Sequence, residues 1–489
     1  MFTTTLLIAL IVTAPSSPYD IVFPEFVFTP PTASSFRETV SENTTVFIAE
    51  DRELPLISMV ATFRGGSYLV PNSQAGLVSM MASLVRSGGT ETMSAEDVDE
   101  QFAFLAANSS VGSDGATVVA TLNSLSSNFE ESFDLFLDML QHPGFQESRV
   151  ALAKDSAVED MKQRNDEPSS ILGRENSRLL FGNSYLGRNS TVSSIEPIDT
   201  KSLQEIHAKI INPSNLIISI SGDFEKDEML AFLSEKLNNW SRGDVSLDPP
   251  GVSSEYTPGI YYVEQDVPQG GVRICIRSMR RGDKDVAAAH IMNYILGGGG
   301  FSSRITQKVR SDEGLAYSAG SMFSPGIFGD GIWGAGYESK SSTVALAAKL
   351  IFDEIDRIKT ILVSDEDLAL AKSATIETLP SEFNSKADTL SVFVSDALTN
   401  QDPQYWETYR DKISAVTKED VLRVANRILK PEEMYMLVVG NWDEIEVGDA
   451  DGRASMEDIL AIIGGSFTEL PVLDPLTLEL PSEQSLKTN

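Results

Sequence analysis

The sequence predicts an α+β protein built from two homologous domains, on three observations. There is an internal duplication with a period of roughly 215 residues, too long for a solenoid repeat and of the right size for a whole domain. Thr200-Lys201 opens a helical run that leads through Asn212-Pro213 into the apolar stretch Leu216 to Ser221 and then Gly222-Asp223-Phe224. Thr417-Lys418 opens a second run that leads through Lys430-Pro431 into Met434 to Val439 and then Gly440-Asn441-Trp442. In both copies, segments of period 2 alternate with segments of period 3.6, and no nucleotide fingerprint lies between them. Between the copies, Ser241 to Pro258 is rich in Ser, Pro, Gly and Asp, the composition of a linker. The organisation expected is a signal segment over 1–20, an N-terminal domain over 21–245, a linker over 246–258, a C-terminal domain over 259–447 and a tail over 448–489.

The elements follow in order. An apolar run, Leu6 to Val12, precedes Thr13-Ala14-Pro15-Ser16-Ser17-Pro18, which resembles a short secretory signal with a small-residue cleavage region. No basic residue precedes the run, since the first is Arg37, and it is too short to span a bilayer. No other stretch is long and apolar enough for a transmembrane helix. The expectation is an exported, periplasmic chain; the residues leave a cytoplasmic location open.

Leu56 to Phe63 predicts a strand. Ala75 to Ser87 predicts a helix with Leu77, Met80, Met81, Leu84 and Val85 on one face, stopped by Gly88-Gly89. Ala116 to Leu122 predicts a strand and Phe129 to Leu140 an amphipathic helix. In the second copy, Gly271 to Arg277 predicts a strand with Val272, Ile274 and Ile276 on one face. Asp283 to Leu296 predicts a helix stopped by Gly297, Gly331 to Tyr337 a strand, and Thr343 to Lys359 a helix. Beyond Val447, Asp449-Ala450-Asp451-Gly452 lacks the remaining ligands and closing Glu of a calcium loop and reads as a turn. A short helix, Met456 to Ile463, follows.

Composition narrows the function classes. A formal net charge of -33 over 489 residues excludes the basic footprint that nucleic acid demands. It suits a highly soluble surface, or a basic peptide or partner. The one cysteine, Cys275, rules out an intrachain disulfide and sits in a strand pattern as a buried, inert thiol. The three histidines, His142, His207 and His290, include no two within a helical turn, so no local two-histidine metal site exists.

The most informative stretch runs from Gly297 to Ser318. Its four glycines are followed by no Gly-Lys-Ser/Thr, so it is not a P-loop, and no Gly-x-Gly-x-x-Gly is present. The order Gly-Gly-Phe-Ser-Ser-Arg over 299–304, then Arg-x3-Gly-Leu-Ala-Tyr over 310–317, closely resembles the second-domain signature of the pitrilysin/insulinase peptidase family. The frame from Gly76 through Gly89-Thr90 resembles that family's zinc helix, with its inverted HxxEH. Here the motif positions hold Ser79, Ala82 and Ser83. Neutral hydroxyls and a methyl group are poor replacements for two imidazoles and a carboxylate base. A carboxylate near the family's distal zinc ligand is available in Glu159 or Asp160. The resemblance covers roughly residues 40–445.

The resemblance implies that each domain is an antiparallel-dominated sheet with helices packed on one face. It implies that Arg310 and Tyr317 reach an active site from the domain facing the zinc. A phenol hydroxyl there can donate to a carbonyl oxygen as charge develops on it, and an arginine offers permanently charged donors. Gly298, Gly299, Gly300, Phe301, Ser302 and Arg304 are the expected substrate-binding residues. The chain would hold no cofactor itself, the zinc being supplied by a homologous zinc-bearing subunit, and the substrate would be a peptide. The alternative is a catalytically inactive homologue that acts as a scaffold or peptide-binding protein. A self-sufficient hydrolase using Ser79 or Ser83 has no histidine placed to activate either.

Overall fold

The computed structural model describes residues 28–41, 44–246, 248–252 and 256–480. The expected signal segment and part of the expected linker lie outside them. Among the described residues, strands form two sheets of six. The first contains β1 (Arg37–Val40), β2 (Thr44–Glu50), β3 (Leu56–Arg64), β4 (Asn108–Ser113), β5 (Thr117–Leu125) and β6 (Leu216–Gly222), in the order β1-β2-β6-β3-β5-β4. The second contains β7 (Gly259–Glu264), β8 (Gln269–Ser278), β9 (Ala316–Ser324), β10 (Gly331–Lys340), β11 (Tyr435–Gly440) and β12 (Phe467–Glu469), in the order β12-β7-β11-β8-β10-β9. Antiparallel pairs dominate both; β2–β6 is parallel in the first, β7–β11 and β12–β7 in the second. The duplication is visible as topology. In each copy the last long strand, the apolar run after the proline, returns to the middle of its sheet. A central strand covered on both faces has no polar side, which is why β6 and β11 read as continuous apolar runs.

Helices α1 (Leu77–Ser87), α2 (Phe129–Gln141), α3 (Glu147–Lys162), α4 (Pro168–Phe181) and α5 (Thr200–Ile210) belong to the first half. Helices α6 (Val286–Asn293), α7 (Val344–Thr360), α8 (Lys386–Leu398), α9 (Lys418–Ile428) and α10 (Met456–Ile463) belong to the second. The apolar stripes expected of α1, α2 and α7 are buried against one face of their own sheets. Helices α5 and α9 each start from a capping box, with Asp199 and Thr417 as the capping residues. Helix α1 begins at Leu77 rather than Ala75, because Gly76 sits at φ 96 outside the helix.

The opposite face of each sheet is closed by a helix from the other half. Helix α8 lays Leu390, Phe393 and Val394 on Phe47 and Ala49 of the first sheet. Helix α4 lays Ile171 and Leu172 on Tyr435, Leu437 and Val439 of the second. The segment expected as a tail is also structural: α10 enters the second core and β12 extends the second sheet beside β7. The chain then crosses back to the first half, where the Leu473 and Leu476 carbonyls accept hydrogen bonds from Asn165 and the Val192 N–H.

Candidate active site

On α1, Ser79 and Ser83 are exposed one turn apart on the same face, while Ala82 is fully buried. On α3, Glu159 and Asp160 are both exposed, and Glu159 is paired with Lys162 at 2.9 Å. Among the described residues, no three His, Cys, Asp or Glu side chains come together as a metal-binding group. The donor set at this helix does not fit zinc, because a neutral hydroxyl supplies neither the charge nor the basicity of the usual ligands. Two histidines have packing roles. His207 is buried, donates from Nε2 to the Leu140 carbonyl at 2.9 Å, and is held below the usual imidazole pKa by desolvation. His290 sits edge-on to Phe323.

The second-half signature folds through several backbone irregularities. The helix expected to run to Leu296 leaves α-geometry after Asn293 and becomes a π-turn, Tyr294–Gly298. A second π-turn, Gln307–Asp312, carries Arg310. Such turns shift the register of the following side chains and recur at functional sites. A side chain at Gly297 would collide with Ser321 of β9, so glycine is required there for close approach. Gly314, at φ 64, turns the chain from the second π-turn into β9. Within β9 the register shifts: Ala319 pairs with Tyr337 and Ala316 with Ser339, so Tyr317 and Ser318 together oppose Glu338. This β-bulge re-aims Tyr317, whose ring is 86% exposed.

These irregularities bring three side chains into one stack. The Arg310 guanidinium carbon lies 4.5 Å from the centre of the Phe301 ring and 4.7 Å from that of Tyr317. Among the described residues, the Arg310 side chain makes no hydrogen bond and no ion pair. It lines a cleft of about 1110 Å³ between the outer face of the second sheet and α4. Four glycines, Gly271, Gly320, Gly334 and Gly336, contribute to the floor of this cleft, beside Arg273, Cys275 and Ile332. Arg273 lies across Gly336, where a Cβ would come within 2.6 Å of its Nη1. Cys275 also borders the cleft. Its thiol is 4% exposed and burial pushes it up to about 11, so it stays protonated and inert.

Of the residues expected to bind substrate, Gly298, Gly300 and Phe301 line the cleft. Gly299 and Ser302 do not; Ser302 Oγ donates to the Gly299 carbonyl at 2.8 Å and holds the turn. Arg304 does not line the cleft either. Its guanidinium is mostly buried and paired at 3.0 Å with Asp367, on the helix Asp365–Glu377. Sequence reasoning missed the contribution of α4, whose Leu172, Asn176 and Leu180 form a wall. It also missed Arg273 and the glycine floor. A signal for the floor was present: in Trp333-Gly334-Ala335-Gly336-Tyr337 glycine takes every second position, so two successive places on one strand face carry no side chain.

Comparison with known proteins gives the family and the fold. The profile described as insulinase (peptidase family M16) matches residues 51–190, and that of the peptidase M16 inactive domain matches residues 197–375, together about two thirds of the chain. The chain is similar to a Helicobacter pylori protein named non-peptidase homolog YmxG, with 26% identity over 340 residues, 66% of this chain and 78% of that protein. It is 28% identical over 211 residues to an uncharacterized zinc protease of Mycobacterium leprae, a match spanning 42% of this chain and 47% of that one. The crystal structure of a peptidase M16 inactive domain from Pseudomonas fluorescens superposes with a TM-score of 0.74 at 23% identity, covering 83% of this chain and 97% of the other.

Proposed function

The chain belongs to the insulinase family of peptidases, and from that premise we propose that it is the non-zinc subunit of a two-component metallopeptidase. In this reading a homologous partner carries the zinc and this chain lends it Arg310 and Tyr317. The observation that carries the reading is the state of Arg310: a cation facing a large cleft, packed against two rings, with its N–H donors uncommitted among the described residues. Activation of the attacking water is chemistry that belongs to the partner's metal site. This chain's residues bind and polarise. The Arg310 edge can donate to a peptide carbonyl and hold the segment in place. The exposed Tyr317 hydroxyl can donate to the carbonyl oxygen on which negative charge grows. The glycine-rich floor, with Arg273 lying across Gly336, would receive a peptide backbone beside the sheet. We place this work outside the cytoplasm, on the strength of the apolar run Leu6 to Val12 and the small residues after it.

The test is a mixing assay. Zinc content and peptide cleavage are measured for this chain, for a family member with intact HxxEH encoded beside it, and for the two together. Activity is expected only in the mixture. Tyr317→Phe is expected to lower turnover about 100-fold, the usual cost of one oxyanion donor, with assembly unchanged. Turnover unaffected by that substitution would remove the catalytic role. The H. pylori relative named a non-peptidase homolog favours a second reading, a scaffold or peptide-binding protein without catalytic duty. Peptide binding by this chain with no cleavage in any mixture would select it.

A further inference from the structure

We infer that Phe301 is a positioning residue: with Tyr317 it clamps the Arg310 guanidinium between two rings and sets which edge faces the cleft. The inference rests on the reading of Arg310 as a substrate-facing donor, and it gives Phe301 a task other than touching the substrate.

Three other arginines of the second half are held by carboxylates instead. Arg304 is tied to Asp367, Arg453 to Glu313, and Arg427 to Asp283. A carboxylate partner takes up edge donors and cancels charge. Around Arg310 the nearby carboxylates are already engaged: Asp312 pairs with Lys308 and Glu313 with Arg453. Glu338 lines the same cleft but is not within ion-pair reach of Arg310, and Glu167 stands at the start of α4. Arg310 is held instead against two rings, its guanidinium carbon 4.5 and 4.7 Å from their centres. A guanidinium stacks through its faces and hydrogen-bonds through its edges. Two ring contacts of this kind restrain the guanidinium and leave its N–H donors free for a planar acceptor, a peptide carbonyl or carboxylate.

Phe301 is placed for this and for little else. It sits on the short turn Gly300–Ser302 between the two π-turns and is 68% exposed, so it contributes little to the core. Neither Phe301 nor Tyr317 makes a ring–ring contact among the described residues; the cation is their common neighbour. A donor fixed in advance loses less entropy when substrate arrives than a flexible arginine would.

The test has two arms. In arginine-labelled protein, the Nε–Hε resonance of Arg310 is expected to be shifted upfield by the flanking rings. Phe301→Leu should remove much of that shift, and Phe301→Tyr should keep it. In the second arm, a fluorescein-labelled unstructured peptide with blocked ends is titrated by anisotropy, and kcat and KM are measured in the mixed enzyme. Phe301→Leu is expected to weaken binding about three- to fivefold, the scale of one exposed cation–π contact. Arg310→Lys should do at least as much, and Phe301→Tyr should restore both readouts. Thermal melts confirm that each variant is folded. An impaired Arg310→Lys beside an unimpaired, folded Phe301→Leu overturns the clamp alone. A silent Arg310→Lys overturns the functional reading beneath it, whatever the resonance shows.

Discussion

Ser79, Ala82 and Ser83 show how much a single position decides. The two serines are exposed one turn apart, so side chains placed there point the same way. Ala82 is fully buried, so a larger group there would have to displace its neighbours. Ser79→His/Ser83→His is therefore expected to gain zinc affinity, read by competition with a chromogenic chelator, with little loss of stability. Adding Ala82→Glu should cost about 1–3 kcal/mol from overpacking alone, and more from burying a carboxylate. An undisturbed melting temperature in the triple variant would show that the buried alanine can turn outward. The chemistry at these positions was legible in the sequence, because ligand identity is a property of residue type. The exposure of the serines and the burial of Ala82 were not, because they depend on what lies across from α1.

At the scale of the element, α6 and α9 are joined by a charge network. Asp285, at the start of α6, accepts from Arg423 and Arg427 of α9, and Asp283 accepts from Arg427. Hydrogen bonds from Arg423 hold the Asp285 carboxyl below its ordinary pKa, and Arg427 does the same for Asp283. Asp420 is likewise depressed, by Arg423 first and then by Thr417. Each folded-state pKa lies below the unfolded value of about 3.9. The stability these groups contribute is thus full above that value and is lost as pH falls through the folded pKa values. Asp285→Asn is expected to cost about 1–2 kcal/mol at neutral pH, discounted because both arginines are nearly half exposed. In urea melts, the variant should lose less stability than wild type between pH 5 and pH 3. Parallel curves would show that the network does not govern acid unfolding. The helices themselves were legible from apolar period and caps. The π-turns and the bulge at Tyr317 were not, since each inserts one residue without changing the local composition.

At the scale of the whole molecule, the two halves are interlocked. Each sheet is closed on its outer face by a helix from the other copy, and the last described residues strap back to the first half. Phe393, 2% exposed on α8, packs against Phe36 and Phe47 of the first half. Phe393→Ala is expected to cost about 3–5 kcal/mol. It should lower a single calorimetric transition rather than split it, because the lost contact belongs to both halves. A low-temperature transition for one half, with the other unmoved, would show that the halves fold independently. The cleft is a product of the same interlock, with the second sheet as its floor and α4 of the first half as its wall.

The sequence by itself determined the duplicated α+β architecture, the central apolar strands and the absence of imidazole and carboxylate at Ser79, Ala82 and Ser83. Each of these is written in residue type and short-range periodicity, which the chain carries whether folded or not. Only the tertiary structure decided that Phe301 and Tyr317 enclose Arg310, that Arg304 turns to Asp367, and that four glycines from three strands share one floor. Those outcomes depend on strand register, on inserted residues that rotate side chains, and on a helix arriving from the other half. They arise from contacts between residues far apart in the chain, which local pattern does not encode.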